Sequence, residues 1–360
     1  MVEERNGNFF QNRRCDLDAL RSGALFLLIV YHAALSFQEF ASYIGFPQNR
    51  ELLEWLMVPG DLLNIWRIPI LFIISGMVLV YSLERSHVKD VIRHRLTRIG
   101  LPLGLGWLIV GPVGFFLSQI FYGKEASYVP NPLHLWFLQN IIVYILIGSL
   151  FFFLFLSSPC GFVRRLSCNI FGSIYGLFVT LFLAMGEGFL TNPGVYAWFL
   201  SGLHGWSIGF ICFMLGMLYA NSGENFWKVV CRFRFFTFST AFLLYLYRLF
   251  EYRLENVPAY LVGLESMLWI WAVLGFSHVY LNRDSPMFIY LRSAVFPVYI
   301  LHQPIQYALA FLIFPAEIPA FLKFILLVVG VLIVSFGIYE FLLRRIGFIA
   351  PYFGMRYKSN

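Results

Sequence analysis

The chain has 360 residues, 59% of them hydrophobic and 19% aromatic, with only 12% charged and a formal net charge of +7. At a mean hydropathy of +0.73, so much apolar surface excludes a water-facing globule and calls for a lipid bilayer as solvent. The basic excess does not indicate a nucleic-acid partner, because Lys and Arg are spread over alternate loops and no base-reading module accompanies them.

Apolar runs of about 20 residues, enough to cross a hydrocarbon core of about 30 Å, recur along the whole sequence. They predict ten helical spans, at 19–39, 62–83, 99–121, 135–156, 171–189, 202–220, 235–250, 260–280, 289–313 and 319–342. The expected fold is therefore an all-α, polytopic integral membrane protein. It has one transmembrane domain over 19–343, between an N-terminal tail 1–18 and a C-terminal tail 344–360. Pro102, Pro112, Pro297 and Pro304 fall inside spans and predict kinks, since neighbouring helices can satisfy the freed backbone groups. A first span that carries Arg21 and His32 and is followed by nine more is not expected to be a cleaved signal peptide.

Of the 26 Lys and Arg residues, 20 fall on one side of these spans, among them Arg5, Arg13, Arg93, Arg95, Arg98, Arg356 and Lys358. Basic loops stay in the cytoplasm, so both termini are expected inside. Four of the five cysteines then lie on the reducing side and Cys212 lies within a span, so no disulfide is expected. No metal-binding spacing is present.

In the first span, RSGALFLLIVYH places Arg21 and His32 eleven residues apart. That is about 16 Å of rise and three turns plus about 20°, so the two side chains share one face. Arg21 alone reads equally as a snorkelling anchor, and His32 alone as a packing histidine. An imidazole so deep in a span is nonetheless a functional candidate. The second span, RIPILFIISGMVL, puts Ser75 and Gly76 near mid-depth, where small residues serve either helix packing or a cavity. Between the second and third spans, HVKDVIRHRLTRIGLP reads as a cytoplasmic loop; its Arg95 and Arg98, three apart, suit phosphate but also suit any basic loop. His134 and Trp136, in NPLHLWFL, stand at the outer mouth of the fourth span, where an aromatic belt would also put them. In the ninth span, PVYILHQPIQ carries His302 to a depth comparable with His32 and adds Gln303. In the last span, Glu340 is four residues from Arg344, the spacing of a helical ion pair. Arginines at one face and histidines in the opposite half suggest a path for an acyl coenzyme A whose phosphorylated head stays in the cytosol.

The blocks LDALRSGALFLLIVYH, RIPILFIISGMVL, RHRLTRIGLP, HLWFL, VYILHQP and YEFLLR run in that order over nearly the whole chain. Together they resemble the membrane acyltransferase family 3, in particular its glucan-biosynthesis branch; that branch has two consecutive histidines where this chain has His302-Gln303. The resemblance implies transfer of an acyl group from cytoplasmic acyl-CoA, as co-substrate and with no further cofactor, to a hydroxyl of an envelope glycan across the bacterial inner membrane. Short groups, acetyl or succinyl, fit best, because the sequence reserves no visible slot for a long chain. It further implies that His32 is the catalytic histidine and Arg21 its motif partner. Arg95 and Arg98 become the cytoplasmic arginine pair, and His302 and Glu340 further polar matches. A sugar hydroxyl needs a base as it attacks a thioester, and His32 can serve as base or as acyl-accepting nucleophile. Arg21, Ser75 and Gln303 are candidate donors to the thioester oxyanion. The pattern neither requires nor forbids a homo-oligomer. Two rival readings are a polysaccharide or lipid-linked glycan exporter, for which paired intramembrane carboxylates or inverted repeats would be expected and are not evident, and a structural subunit.

Overall fold

The computed structural model describes residues 14–200 and 202–355. Arg5, Arg13, Arg356 and Lys358, counted above for orientation, lie outside those residues, as do 1–13 and 356–360 of the two expected tails. Among the described residues the chain is helical and has no strand. The helices are α1 Cys15–Leu35, α2 Glu54–Leu83, α3 Val88–Phe121, α4 Leu133–Leu156, α5 Phe162–Phe171 and α6 Tyr175–Thr191. They continue with α7 Gly202–Asn221, α8 Gly223–Glu251, α9 Ala259–Leu281, α10 Pro286–Ile313 and α11 Ala320–Leu343. Nine are long and apolar enough to cross a membrane, and α5 and α6, bent by 97° at their junction, make a tenth if counted as one span.

The expected all-α polytopic architecture is thus present, with one local correction, at the fifth span. Between the second and third spans α3 starts at Val88, so Arg95 and Arg98 share a helix that runs on into the third span, ahead of the expected start at 99. Its sequence VKDVIRHRLTRI has no Gly or Pro to stop the helix, so a charged helical turn simply extends the apolar one. The fifth span is broken at Gly172-Ser173, after which α6 starts in a new direction. The preceding α5 carries Arg164 and Arg165 beside exposed Phe162 and Leu166, the mixed composition of a helix suited to an interface.

The expected single domain resolves into two compact units: residues up to Leu20 with Asp61–His94 and Asn140–Asp284, and Arg21–Gly60 with Arg95–Gln139 and the chain from Ser285 onward. Within the first unit, α2 and α7 approach backbone to backbone. A Cβ on Gly76 would overlap the Phe213 carbonyl oxygen, and one on Gly216 would overlap that of Ile73. The same unit buries a charged group. Arg248, 3% exposed, donates through its Nε and Nη2 to Glu265, which is fully buried and also accepts from Trp269 Nε1 at 3.1 Å. Asp61 feels the charges of both. Two intramembrane carboxylates do therefore come together here, contrary to the sequence reading, but a guanidinium holds one of them.

The second unit packs α1, α10 and α11 through Ile29, Ala33, Phe37, Val298, Ala310, Leu327 and Val331. Pro297 and Pro304 lie inside an uninterrupted α10. The connection from α1 to α2 folds back on α1, with Asn49 N donating to the Ser36 carbonyl (2.8 Å) and Leu53 N to that of Phe37 (2.9 Å). In α3, Gly111 and Gly114 leave room for the 131–133 backbone and Leu133, which brings the start of α4 close against α3.

Candidate active site

Three histidines from three separate segments of the second unit meet in its interior. His32 comes from α1 and His302 from α10; His134 comes from the single turn Leu133–Leu135 that opens α4. That turn is set by backbone strain. Leu133, between Pro132 and His134, has φ +48, a left-handed conformation that side-chain-bearing residues avoid, and Asn131 Oδ1 accepts its N–H at 3.0 Å.

Hydrogen-bond partners fix the tautomers. His302 Nδ1 lies 2.6 Å from the Tyr299 carbonyl oxygen, and His134 Nε2 lies 2.8 Å from the same oxygen. A carbonyl only accepts, so both nitrogens carry hydrogen. In a neutral His302 the remaining nitrogen, Nε2, is an acceptor, and it sits 3.1 Å from His32 Nδ1. His32 Nδ1–H therefore donates to His302, which leaves the lone pair of His32 on Nε2. The result is a directed chain from His32 through His302 to a backbone carbonyl. Second-group orientation of a base imidazole is the logic of catalytic triads, here with an imidazole and a carbonyl in place of a carboxylate.

Neighbouring groups hold the chain in place. His302 is fully buried, its ring stacked on His32 (5.2 Å between centroids) and edge-on to His134 (4.6 Å). Tyr299 Oη donates to the His134 carbonyl at 2.7 Å. Gln306, also fully buried, donates from Nε2 to the His32 carbonyl at 2.8 Å. Phe46, carried in by the connection after α1, stands edge-on to His32 (5.5 Å) and to Tyr307 (5.4 Å), and Tyr122 Oη donates to its carbonyl. Among the described residues no His, Cys, Asp or Glu group has metal-binding geometry.

The other sequence-derived candidates sort themselves by position. Arg21 lies eleven helical residues, about 16 Å of rise, from His32, too far for its side chain to steady an oxyanion there. It belongs with Arg95 and Arg98: Arg21 and Arg98 both act on Arg95 as like charges, and Arg98 Nε donates to the Gly354 carbonyl at 3.0 Å. Ser75 and Gly76 belong to the first unit and are not part of the histidine cluster. The Ser75 hydroxyl bonds the Leu71 carbonyl of its own helix at 2.7 Å, and the Gly76 side is filled by α7 backbone. Gln303, 3% exposed, is beside the cluster, but its Nε2 donates to Tyr307 Oη at 2.8 Å. Trp136 is half-buried against Phe137, outside the ring contacts of the histidines. Glu340 pairs with Arg344 (2.6 and 2.7 Å) and accepts from Tyr290 Oη, an ion pair of the exposed kind that contributes little. Tyr299, Gln306 and Phe46 were missed. The first two were readable, since residues 299, 302, 303 and 306 form a polar stripe of i, i+3, i+4 spacing on one span.

A profile of the acyltransferase domain found in membrane acyltransferase family 3 matches residues 16–340, a stretch that contains every residue of the histidine cluster. The chain belongs to this family. Curated relatives include glucans biosynthesis protein C of Escherichia coli O1:K1, of E. coli O45:K1 strain S88 and of E. coli K12 strain DH10B. Each is 24% identical over 358 residues, which cover 90% of this chain and 90% of the relative. No solved structure matches. The protein is accordingly a multi-pass membrane acyltransferase.

Proposed function

We propose that this acyltransferase moves a short acyl group, acetyl or succinyl, from cytoplasmic acyl-CoA to a hydroxyl of an envelope glycan, with His32 as the general base. The observation that carries the reading is the directed chain from His32 Nδ1 to His302 Nε2 (3.1 Å) and from His302 Nδ1 to the Tyr299 carbonyl (2.6 Å). It keeps the basic lone pair on His32 Nε2. In the reaction, the sugar oxygen attacks the thioester carbonyl while His32 Nε2 takes its proton. The tetrahedral intermediate then expels the coenzyme A sulfur, which leaves as the thiol with the proton returned by His32. Assistance of this kind contributes about 10² to 10⁴ in rate. Arg21, Arg95 and Arg98 are the groups for the phosphorylated head of the donor, because guanidinium forks bind phosphate in pairs. The distance of Arg21 from His32 along α1, about 16 Å, is one that the extended pantetheine arm of coenzyme A can cover.

The basic loops support an inner-membrane orientation with both termini in the cytosol. The relatives' name, glucans biosynthesis protein C, supports a glucan as acceptor. The experiment uses purified protein in proteoliposomes with acetyl-CoA or succinyl-CoA and gluco-oligosaccharides. Transfer should be seen with wild type and lost in His32→Ala, while coenzyme A stabilises both against heat by roughly RT ln(1 + [L]/Kd). Wild-type transfer by His32→Ala refutes the assignment, and indifference to coenzyme A refutes the donor.

A further inference from the structure

Three buried polar atoms around the histidines have no hydrogen-bond partner: His134 Nδ1, Gln306 Oε1 and Gln303 Oε1. For two of them the chemical identity is forced. His134 uses Nε2–H on the Tyr299 carbonyl, so its Nδ1 carries the lone pair of a neutral ring. Gln306 uses its amide N–H on the His32 carbonyl, so the outstanding atom is the carbonyl oxygen. All three are therefore acceptors. A buried acceptor without a donor is costly, and three around one reaction centre call for a ligand that brings donors.

We propose that His134 Nδ1 and Gln306 Oε1, with Gln303 Oε1 beside them, bind hydroxyl groups of the acceptor sugar next to the one that is acylated. This inference rests on the acyl transfer proposed above and adds to it the part of the site that chooses the hydroxyl. The chemistry selects the ligand. A thioester carbonyl, a phosphate or the carboxylate of a succinyl group offers only acceptors, and the pantetheine arm brings two amide N–H groups and one hydroxyl spread along its length, whereas a sugar presents several hydroxyl donors a few ångströms apart. The placement agrees. The Gln306 carboxamide is one hydrogen bond from the backbone of the residue that carries the base, and the His134 ring is edge-on to His302 at 4.6 Å. Gln303 and Gln306 are three apart on α10, hence neighbours on its surface. Gln303 is consequently an acceptor toward the sugar rather than the oxyanion donor expected from sequence.

The test uses the full-length protein, a glucotetraose, and analogues in which single hydroxyls are replaced by fluorine, which accepts but does not donate. His134→Leu removes the Nδ1 acceptor while the Tyr299 carbonyl keeps its second donor, His302 Nδ1–H; Gln306→Met removes the carboxamide at similar volume. Each variant should raise KM for the glucotetraose about tenfold, the equivalent of 1.4 kcal/mol, with the KM for acetyl-CoA unchanged. Each should also cease to distinguish hydroxyl from fluorine at one ring position that wild type distinguishes. Variants that discriminate as wild type does, or whose KM rises for acetyl-CoA instead, overturn the inference. If Gln306→Met does not fold, His134→Leu alone decides. Thermal stabilisation by the same sugars reads these contacts without turnover. Sugar binding with fluorine sensitivity but no transfer by wild type would therefore overturn the acyl-transfer reading and leave the hydroxyl site supported.

Discussion

His302→Ala isolates the contribution of the imidazole chain. The change removes the acceptor of His32 Nδ1–H and leaves the Tyr299 carbonyl with its second donor, His134. The site thus loses two bonds, from His32 Nδ1 and to the Tyr299 carbonyl, but does not strand that carbonyl. What remains exposed to an apolar surrounding is the His32 N–H, whose desolvation costs about 1 to 3 kcal/mol. The ring is also free to place its proton on Nε2 and its lone pair on the wrong side. A barrier rise of about 1 to 3 kcal/mol slows the reaction by about 5- to 150-fold, a smaller loss than the 10² to 10⁴ of a missing base. His302→Gln provides the control, because its amide oxygen reaches the position of Nε2 and can accept from His32 again. In proteoliposomes the expected order of initial rates is wild type, His302→Gln, His302→Ala, His32→Ala, at equal amounts of protein that is monodisperse by gel filtration. A His302→Ala rate within about twofold of wild type, or a His302→Gln rate no better than that of Ala, refutes the chain.

Three further outcomes are expected. Gly76→Ala should destabilise the detergent-solubilised protein by about 1 to 3 kcal/mol, the range for overfilling a packed contact, because its new methyl meets the Phe213 carbonyl; an unchanged melting temperature would show that α2 and α7 part easily. Changing both Arg95 and Arg98 to Gln should raise the KM for acyl-CoA more than it lowers kcat, since contacts to a remote phosphate bind ground and transition states alike; an unchanged KM would assign the pair to topology. In a cysteine-free background, single cysteines at Ser127 and at Glu224, both exposed, should react with an impermeant thiol reagent from opposite faces. Reaction of both from one face would overturn the orientation. Glu224 suits this purpose better than its neighbour Ser222, which is buried with its hydroxyl on the Ser167 carbonyl.

Long apolar runs made the spans legible, and depth alone singled out His32 and His302, because a bilayer makes polar residues conspicuous. Their meeting was not legible, since the two lie 270 residues apart and depend on α1 and α10 packing side by side. For His134 the sequence left a binding role and an interfacial one equally open, because the left-handed conformation of Leu133 beside it is not visible in the sequence. At Ser75 and Gly76 the sequence left helix packing and a cavity both open, because small residues suit either, and at Gly76 the structure shows the α7 backbone in contact. Arg21 shares a helical face with His32, yet its charged neighbours are Arg95 and Arg98 of α3, and sequence spacing within α1 alone cannot show them. Asp61 and Glu265 escaped notice because each is solitary in its own stretch of sequence, and only the fold brings them to one guanidinium.

That guanidinium constrains how the protein is made. Helix α8 carries Arg248 and helix α9 carries Glu265, joined through a short turn. Arg248 lies in the last turn of α8 and Glu265 in the second turn of α9, so an unpaired charge here opposes insertion by less than the about 2.5 to 3.5 kcal/mol it would cost at the centre of a span. As the chain is synthesised α8 emerges first, and it gains the carboxylate that neutralises it only when the second turn of α9 has followed. The two helices are then most stable entering lipid together, as a hairpin with its charges already matched. The ion pair thus favours integration of α8 and α9 as one unit.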